Sequence, residues 1–156
     1  MRVAFCSSEV FPYTKTGGLA DVCGALPPAL HNAGAEVVIF QPKYRCVDEK
    51  KYGLEKVKDG LFRAKFNKNI DAYFIDQPQF FDRDGIYGDR DGDYEDNFER
   101  FDYFSRKVLE ALKTLGLEID VIHCHDWQTG LIPVYLKFLY QDDAALGRVK
   151  TVFTIH

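Results

Sequence analysis

Several features that would assign a class at once are absent from this sequence of 156 residues. No apolar run approaches the roughly 18–20 residues that a membrane-spanning helix needs, which argues against a membrane protein. The start, Arg2-Val3-Ala4-Phe5-Cys6, turns polar too quickly for a signal peptide, so we expect none. The net charge is −4 and no basic stripe is visible, which argues against nucleic acid as a partner.

Cysteine and tryptophan are both sparse. The four cysteines, Cys6, Cys23, Cys46 and Cys124, are far apart and form no C-x-x-C pair. Three of them lie in apolar surroundings, which is typical of buried, reduced thiols in a cytosol-like compartment and not of a disulfide framework. Trp127 is the single tryptophan beside 13 phenylalanines and 9 tyrosines, so its setting carries information.

The hydrophobic fraction of 46% and the length fit one globular domain with a proper core. Continuous apolar runs at 2–7, 37–40 and 121–124 predict buried strands. A helical pattern beginning at Gly17-Gly18 separates the first two runs, which predicts a βαβ unit and a parallel sheet. Pro27-Pro28 predicts a break in that helix near Ala25.

The remaining elements complete an α/β pattern. Alternation on both sides of Asn67-Lys68-Asn69 predicts a strand pair. An apolar stripe predicts a helix over 97–115, with Asp96 and Glu99 at capping-box spacing. The stripe consists of Phe98, Phe101, Val108, Leu112 and Leu115. We expect a loop over 77–96, a helix over about 129–140 and a buried strand over 149–155. The predicted fold is a Rossmann-like doubly wound parallel sheet with an inserted strand pair.

The loop after the first strand has the composition of an anion site. Gly17 and Gly18 stand where a helix begins, so free N–H groups and the positive end of the helix dipole face the sheet edge. Lys15 adds a full positive charge, and the set suits a phosphate or a developing oxyanion. The loop is neither a P-loop nor G-x-G-x-x-G. The alternative is a glycine-bearing turn with a solvated lysine.

A second candidate site follows the strand at 121–124. Asp126 and Trp127 combine a carboxylate with a large apolar ring, which suits a sugar, although Trp127 could also be a core residue. His123 and His125 share one face of a strand, so a metal pair is conceivable. We predict no metal, because structural zinc needs four ligands and the other cysteines are far away in sequence. His156 follows the last strand and reaches the same edge of the sheet.

The residues of both sites resemble the signature segments of bacterial glycogen synthases and plant starch synthases. The resemblance runs in order through the whole chain. It is carried by Ser8-Glu9-Val10-Phe11-Pro12, Lys15-Thr16-Gly17-Gly18-Leu19-Ala20-Asp21-Val22, Gly24-Ala25-Leu26-Pro27, Tyr94-Glu95-Asp96-Asn97-Phe98-Glu99-Arg100-Phe101, His123-Cys124-His125-Asp126-Trp127-Gln128 and Val152-Phe153-Thr154-Ile155-His156.

The resemblance implies a GT-B architecture, in which two Rossmann-like domains face each other across a cleft. Such enzymes transfer glucose from ADP-glucose to the non-reducing end of an α-1,4-glucan, with retention and with no required metal or cofactor. Residues 1–156 would form the N-terminal, acceptor-side domain, and the C-terminal nucleotide-binding domain would be absent. A chain that ends at a strand's carboxyl end also suggests a piece of a longer protein. We expect the isolated domain to be inactive.

The resemblance also implies roles for individual residues. Lys15 would contact the donor phosphate or leaving-group charge, with the amides of Gly17 and Gly18 beside it. Asp21 would contact the donor, although an acid in a first helical turn is also favoured by the helix dipole alone.

On the acceptor side, Tyr94 would line the cleft, and Asp126 with Trp127 would hold the acceptor glucose. His156 would contact the transferred glucosyl through its ring or its carbonyl group.

Two other functions remain open on the sequence. One is a related GT-B transferase that uses UDP-glucose, since the absent domain would choose the nucleoside. The other is a non-catalytic glucan-binding module, which has no need for Lys15 at a helix start. We expect a cytoplasmic location, or a plastid if the source is a plant.

Overall fold

The computed structural model describes all residues, 1–156. Its elements follow one another as β1 (Arg2–Cys6), α1 (Gly18–Asn32), β2 (Glu36–Pro42), α2 (Glu49–Tyr52), β3 (Glu55–Lys58), β4 (Leu61–Lys65), β5 (Asp71–Ile75), α3 (Pro78–Phe81), β6 (Gly88–Asp89), β7 (Gly92–Asp93), α4 (Asn97–Thr114), β8 (Val121–His125), a 3-10 turn (Trp127–Thr129), α5 (Leu131–Phe138) and β9 (Lys150–Thr154). Seven strands form one sheet in the order β3-β4-β5-β2-β1-β8-β9, and β6 and β7 form a separate hairpin.

The predicted parallel sheet with an inserted strand pair is confirmed. Neighbours β5, β2, β1, β8 and β9 are all parallel, and only β4 runs antiparallel to its two neighbours. The chain proceeds from β1 to β2 in one direction and from β8 to β9 in the other, so the strand order reverses between β1 and β8. Ligands of open α/β sheets bind at the carboxyl ends of the strands beside such a reversal.

Helix α1 does not break at Ala25, and this part of the prediction is wrong. The helix continues through Pro27 and Pro28 and ends at Asn32, with Gly34 just beyond it at a φ of +93°. Its buried face includes Leu19, Cys23 and Pro27, and the helix packs against β2. Tertiary burial therefore outweighs the loss of two backbone donors, which in isolation would end a helix.

Helix α4 confirms the predicted stripe in its central part. Phe101, Val108 and Leu112 are buried, but Phe98 is 67% exposed and lies outside the core. The capping box is wrong, because Asp96 makes no side-chain cap and instead accepts from Arg83 at 2.6 and 2.7 Å. That contact lowers the pKa of the Asp96 carboxyl.

The predictions for 77–96 and for the last helix and strand also need correction. The segment 77–96 is not only loop, since it contains α3 and the β6–β7 hairpin. The last helix spans Leu131–Phe138 after a separate 3-10 turn, and β9 is an exposed edge strand and not a buried one. None of the helices combines the length and the apolar character that crossing a membrane requires.

Candidate active site

The start of α1 presents an open surface at the carboxyl end of β1. Gly17 is the N-cap in an extended conformation and provides no side-chain cap, so the first-turn N–H groups remain available. A Cβ added at Gly17 or Gly18 would meet no atom within 4 Å. Neither glycine is required by the packing of this chain, and both lie where a ligand can approach the backbone.

Lys15 and Asp21 face each other beside this surface. The Lys15 Nζ donates to both carboxylate oxygens of Asp21, at 2.6 and 2.7 Å. Both side chains are about half exposed, and an ion pair of this kind stabilises a protein by less than about 1 kcal/mol. An anionic ligand can therefore compete for the ammonium group at little expense.

Glu9 holds the loop after β1 in place through hydrogen bonds, and the sequence did not identify it as a site residue. Its buried carboxylate accepts the Thr16 N–H, the Thr16 hydroxyl at 2.6 Å and the Tyr87 hydroxyl at 2.6 Å. The Tyr87 hydroxyl also lies 2.7 Å from Ser8 Oγ. Burial and the Glu9 carboxylate raise the pKa of Tyr87. The segment before α4 is thereby fixed to the loop after β1.

The end of β8 supplies the second part of the site. Asp126 has a φ of 58° and a ψ of 178°, a backbone region that is nearly restricted to glycine and costs about 1–3 kcal/mol. Its N–H donates to Thr154 O at 2.9 Å, and its own C=O accepts from Thr129. The next residue, Trp127, is 57% exposed and meets Phe101 edge-to-face. The interpretation of Trp127 as a surface residue is correct.

His156 lies against the end of β8. Its N–H donates to Asp126 Oδ1 at 2.7 Å, and its Nε2 is 2.9 Å from His125 Nδ1. The His125 ring is completely buried beside Phe5, and burial with two neighbouring imidazoles lowers its pKa to about 3. His125 is therefore neutral at physiological pH, as expected for the histidine that points inside.

Cys23 of α1 lies beside His125 and His156. The ligand atoms of Cys23, His125 and His156 all lie within 4.8 Å of one another. Burial raises the pKa of the Cys23 thiol to about 12. The expectation that the other cysteines lie far from these histidines is wrong for Cys23, because α1 brings Cys23 to the carboxyl end of β8. His123, the other member of the predicted metal pair, instead contacts Thr154 Oγ1 at 2.8 Å.

Tyr94 is held apart from the loop after β1. Its hydroxyl accepts the Gly85 N–H at 3.1 Å, and the guanidinium groups of Arg83 and Arg100 lie over its ring at 4.8 and 4.9 Å. Within the segment before α4, Tyr87 is the tyrosine whose hydroxyl contacts the loop. Asp126 and His156 are thus in direct contact, and Cys23 links them to α1. The contacts of Tyr94 lie within the segment before α4 and at the start of α4, on Asn97 and Arg100.

An apolar cavity of about 320 Å³ opens beside Trp127. Its lining is Phe98, Phe101, Asp102, Trp127, Gln128, Gly130 and Leu131. The exposed ring of Phe98, which the helical pattern assigned to the core, belongs to this surface. The arrangement offers flat apolar faces, which suit the apolar face of a sugar ring.

Comparison with known proteins identifies the family of this chain. The family model described as starch synthase catalytic domain matches residues 2–156. The glycogen synthase of Koribacter versatilis is 45% identical over 167 residues, and that of Geotalea daltonii is 44% identical over 168; the matches cover 100% of this chain and 34% and 35% of those proteins.

Two solved structures are also similar. The catalytic domain of Starch Synthase IV from Arabidopsis thaliana, bound to ADP and acarbose, has a TM-score of 0.83 and 33% identity over 99% of this chain and 33% of that chain. Sucrose-phosphate synthase from Thermosynechococcus elongatus, with a TM-score of 0.63, 16% identity and the same coverage, shares the fold alone. The chain spans about a third of the length of the curated relatives it matches. It belongs to the starch synthase catalytic domain family.

Proposed function

We propose that this chain is the N-terminal, acceptor-side domain of a retaining glycosyltransferase that moves glucose from ADP-glucose to the non-reducing end of an α-1,4-glucan. The observation that carries the proposal is the convergence at one sheet edge of an open, cationic helix start after β1 and an exposed Trp127 beside a strained Asp126 after β8. The first suits a diphosphate and the second suits a sugar. The bacterial relatives and the free thiols support a cytoplasmic location.

On the donor side, the developing charge is that of the departing diphosphate. Lys15 would turn from Asp21 to this charge, and the amides at Gly17 and Gly18 would donate to its oxygens. Asp21, once released, would accept from a hydroxyl of the donor. The bound ADP of the related Starch Synthase IV structure supports an ADP-sugar as donor.

On the acceptor side, Trp127 would stack on a glucose ring while Asp126 accepts from its hydroxyls. One Asp126 oxygen is already engaged by the His156 N–H, so the second oxygen is the one that would reach a ligand. Tyr94 would line the cleft at a greater distance. Acarbose, bound in the same Starch Synthase IV structure, supports a glucan-like ligand.

Between the two sides, His156 would contact the glucosyl unit as it leaves the donor. Glycosyl transfer passes through an oxocarbenium-like state, which neutral dipoles such as an imidazole or a backbone carbonyl can stabilise. Because the ring Nε2 lies against His125, the carbonyl group and the other ring nitrogen remain for the substrate. No metal or cofactor is needed for these roles.

This domain has one wall of a cleft and no opposing wall. A dry, closed site requires a second, nucleotide-binding domain that would close over the donor. The absence of transfer by the 156-residue chain is therefore part of the proposal, and the partner domain is an essential component.

A chimera tests the proposal. The chain would replace the N-terminal third of the Koribacter versatilis glycogen synthase, and label from radioactive ADP-glucose or UDP-glucose would be counted in precipitated glycogen. We expect incorporation from ADP-glucose by the chimera and none by the chain alone. Transfer by the chain alone would contradict the need for a second domain. A folded chimera that binds glycogen without transfer from either donor would favour a glucan-binding module.

Trp127 also allows a direct test of the acceptor role. A maltooligosaccharide that stacks on the exposed indole should change its fluorescence in a saturable way, because Trp127 is the only tryptophan. A cellooligosaccharide of equal length is the control, since it differs in linkage alone. An unchanged spectrum, or equal responses to both sugars, would contradict an α-1,4-glucan site at Trp127.

A further inference from the structure

We propose that Cys23, His125 and His156 form a binding site for a borderline-soft divalent cation, of which Zn²⁺ is the type. The three residues come from α1, the end of β8 and the segment after β9, and their ligand atoms lie within 4.8 Å of one another. One thiolate and two imidazoles are ligands that zinc prefers. The site shares His156 with the proposed transfer site, but the proposed transfer reaction does not use the metal.

The distance between the two imidazole nitrogens is close to that at a bound ion. Two imidazole nitrogens at about 2.0–2.1 Å from a tetrahedral zinc lie roughly 3.3 Å apart. His125 Nδ1 and His156 Nε2 are now 2.9 Å apart and share one hydrogen bond. A separation of a few tenths of an ångström would admit the cation between them, with Cys23 as the third ligand.

The other nitrogen of His125 leaves the tautomer of the ring open. The ring is completely buried, and its Nε2 has no hydrogen-bond partner. Because only His156 contacts a ring nitrogen of His125, the proton can sit on Nε2, and Nδ1 can then offer its lone pair to the cation.

Binding of the cation releases one proton, that of the Cys23 thiol. Each imidazole keeps one proton on the nitrogen that faces away from the metal, and the Cys23 thiol loses its proton to water as the metal–sulfur bond forms. Water would take the fourth position. Three protein ligands with one open position are sufficient for zinc in catalytic sites, although here we assign no reaction to the bound water.

Occupancy would have a consequence that rests on the proposed function. A cation bound to His156 Nε2 would place positive charge beside the groups of His156 that face the glucosyl unit, whose transition state is itself cationic, so Zn²⁺ would inhibit the transferase. Binding itself does not depend on that function and can be measured without any sugar.

Cobalt titration of the purified 156-residue chain tests the site. Co²⁺ bound by a thiolate gives a charge-transfer band in the near ultraviolet, and one equivalent of Zn²⁺ should remove it. We expect the band in the unmodified chain, its loss in Cys23→Ser, and no change in Cys46→Ser, which removes the exposed cysteine. Absence of the band from the unmodified chain, or its loss in Cys46→Ser and not in Cys23→Ser, would overturn the proposal.

A second variant guards against misfolding of Cys23→Ser. His156→Ala changes an exposed side chain and should leave the far-ultraviolet circular dichroism unchanged. We expect it to weaken Co²⁺ binding by at least about tenfold. Equal affinity in His156→Ala and the unmodified chain would remove His156 from the site and contradict the proposed triad, whatever the transferase assays show.

Discussion

Replacing Lys15 with alanine is expected to lower the rate of glucosyl transfer by the chimera about 10²–10³-fold, the usual effect of removing one group that stabilises developing charge. The reason is that Lys15 supplies the only full positive charge of the loop before α1, where the diphosphate would depart. Loss of its exposed pair with Asp21 costs less than about 1 kcal/mol of folding free energy, so unfolding does not explain such a loss. Incorporation of label into glycogen measures the effect.

Controls for this prediction come from the same chain. Lys68→Ala removes an exposed lysine in the β4–β5 turn and should leave transfer unchanged. The fluorescence response of Trp127 to maltooligosaccharide should persist in Lys15→Ala, because the proposed acceptor site lies at the end of β8, away from Lys15. Undiminished transfer in Lys15→Ala would make Lys15 a solvated turn residue and remove the phosphate role.

Replacing Arg100 with methionine is expected to lower the free energy of unfolding by about 3–5 kcal/mol, because each carbonyl left unsatisfied costs about 1–3 kcal/mol. The guanidinium is buried and donates to Phe80 O at 2.8 Å, to Ile86 O at 2.9 Å and to Asn97 Oδ1 at 2.6 Å. It thus holds the segment before α4, to which Tyr87 and Tyr94 belong. Urea denaturation followed by Trp127 fluorescence measures the change.

The matched control is Arg106→Met, two turns further along α4. Arg106 is half exposed and pairs with Asp102, so its loss should cost less than about 1 kcal/mol. Equal destabilisation by both substitutions would show that the buried network around Arg100 contributes nothing special. Burial of a side chain in this helix would then not predict its contribution to the free energy of unfolding.

Local pattern was sufficient for much of the fold. Continuous apolar runs predict β1, β2 and β8, because strands of a parallel sheet are covered on both faces. Asn67 accepts from the amides of Asn69 and Ile70, which is the turn chemistry that predicts the β4–β5 pair. The failures arise where distant contacts overrule local preference. Pro27 stays helical because it is buried, and Asp96 serves Arg83 in place of its own helix.

The candidate site likewise contains residues whose positions the sequence predicts and residues whose positions it does not. The topology of parallel strands brings the segments after β1, β8 and β9 to one edge, so the positions of Lys15, Asp126 and His156 follow from the sequence. Glu9 and Tyr87 do not, because single polar residues in loops have no periodicity and their pairing depends on how two loops meet. Cys23 was missed for a related reason, since separation along the chain says little about distance across a folded sheet.

Asp126 has a wider consequence for attempts to improve this protein. Its backbone conformation is one that glycine adopts without strain, so glycine at this position should be the more stable choice. An engineering programme that ranks substitutions by thermal tolerance would therefore select Asp126→Gly, which removes the carboxylate of the residue before Trp127. If Asp126 holds the acceptor as proposed, stability and activity place opposite demands on this one residue, and a screen for thermal tolerance alone would lose the activity.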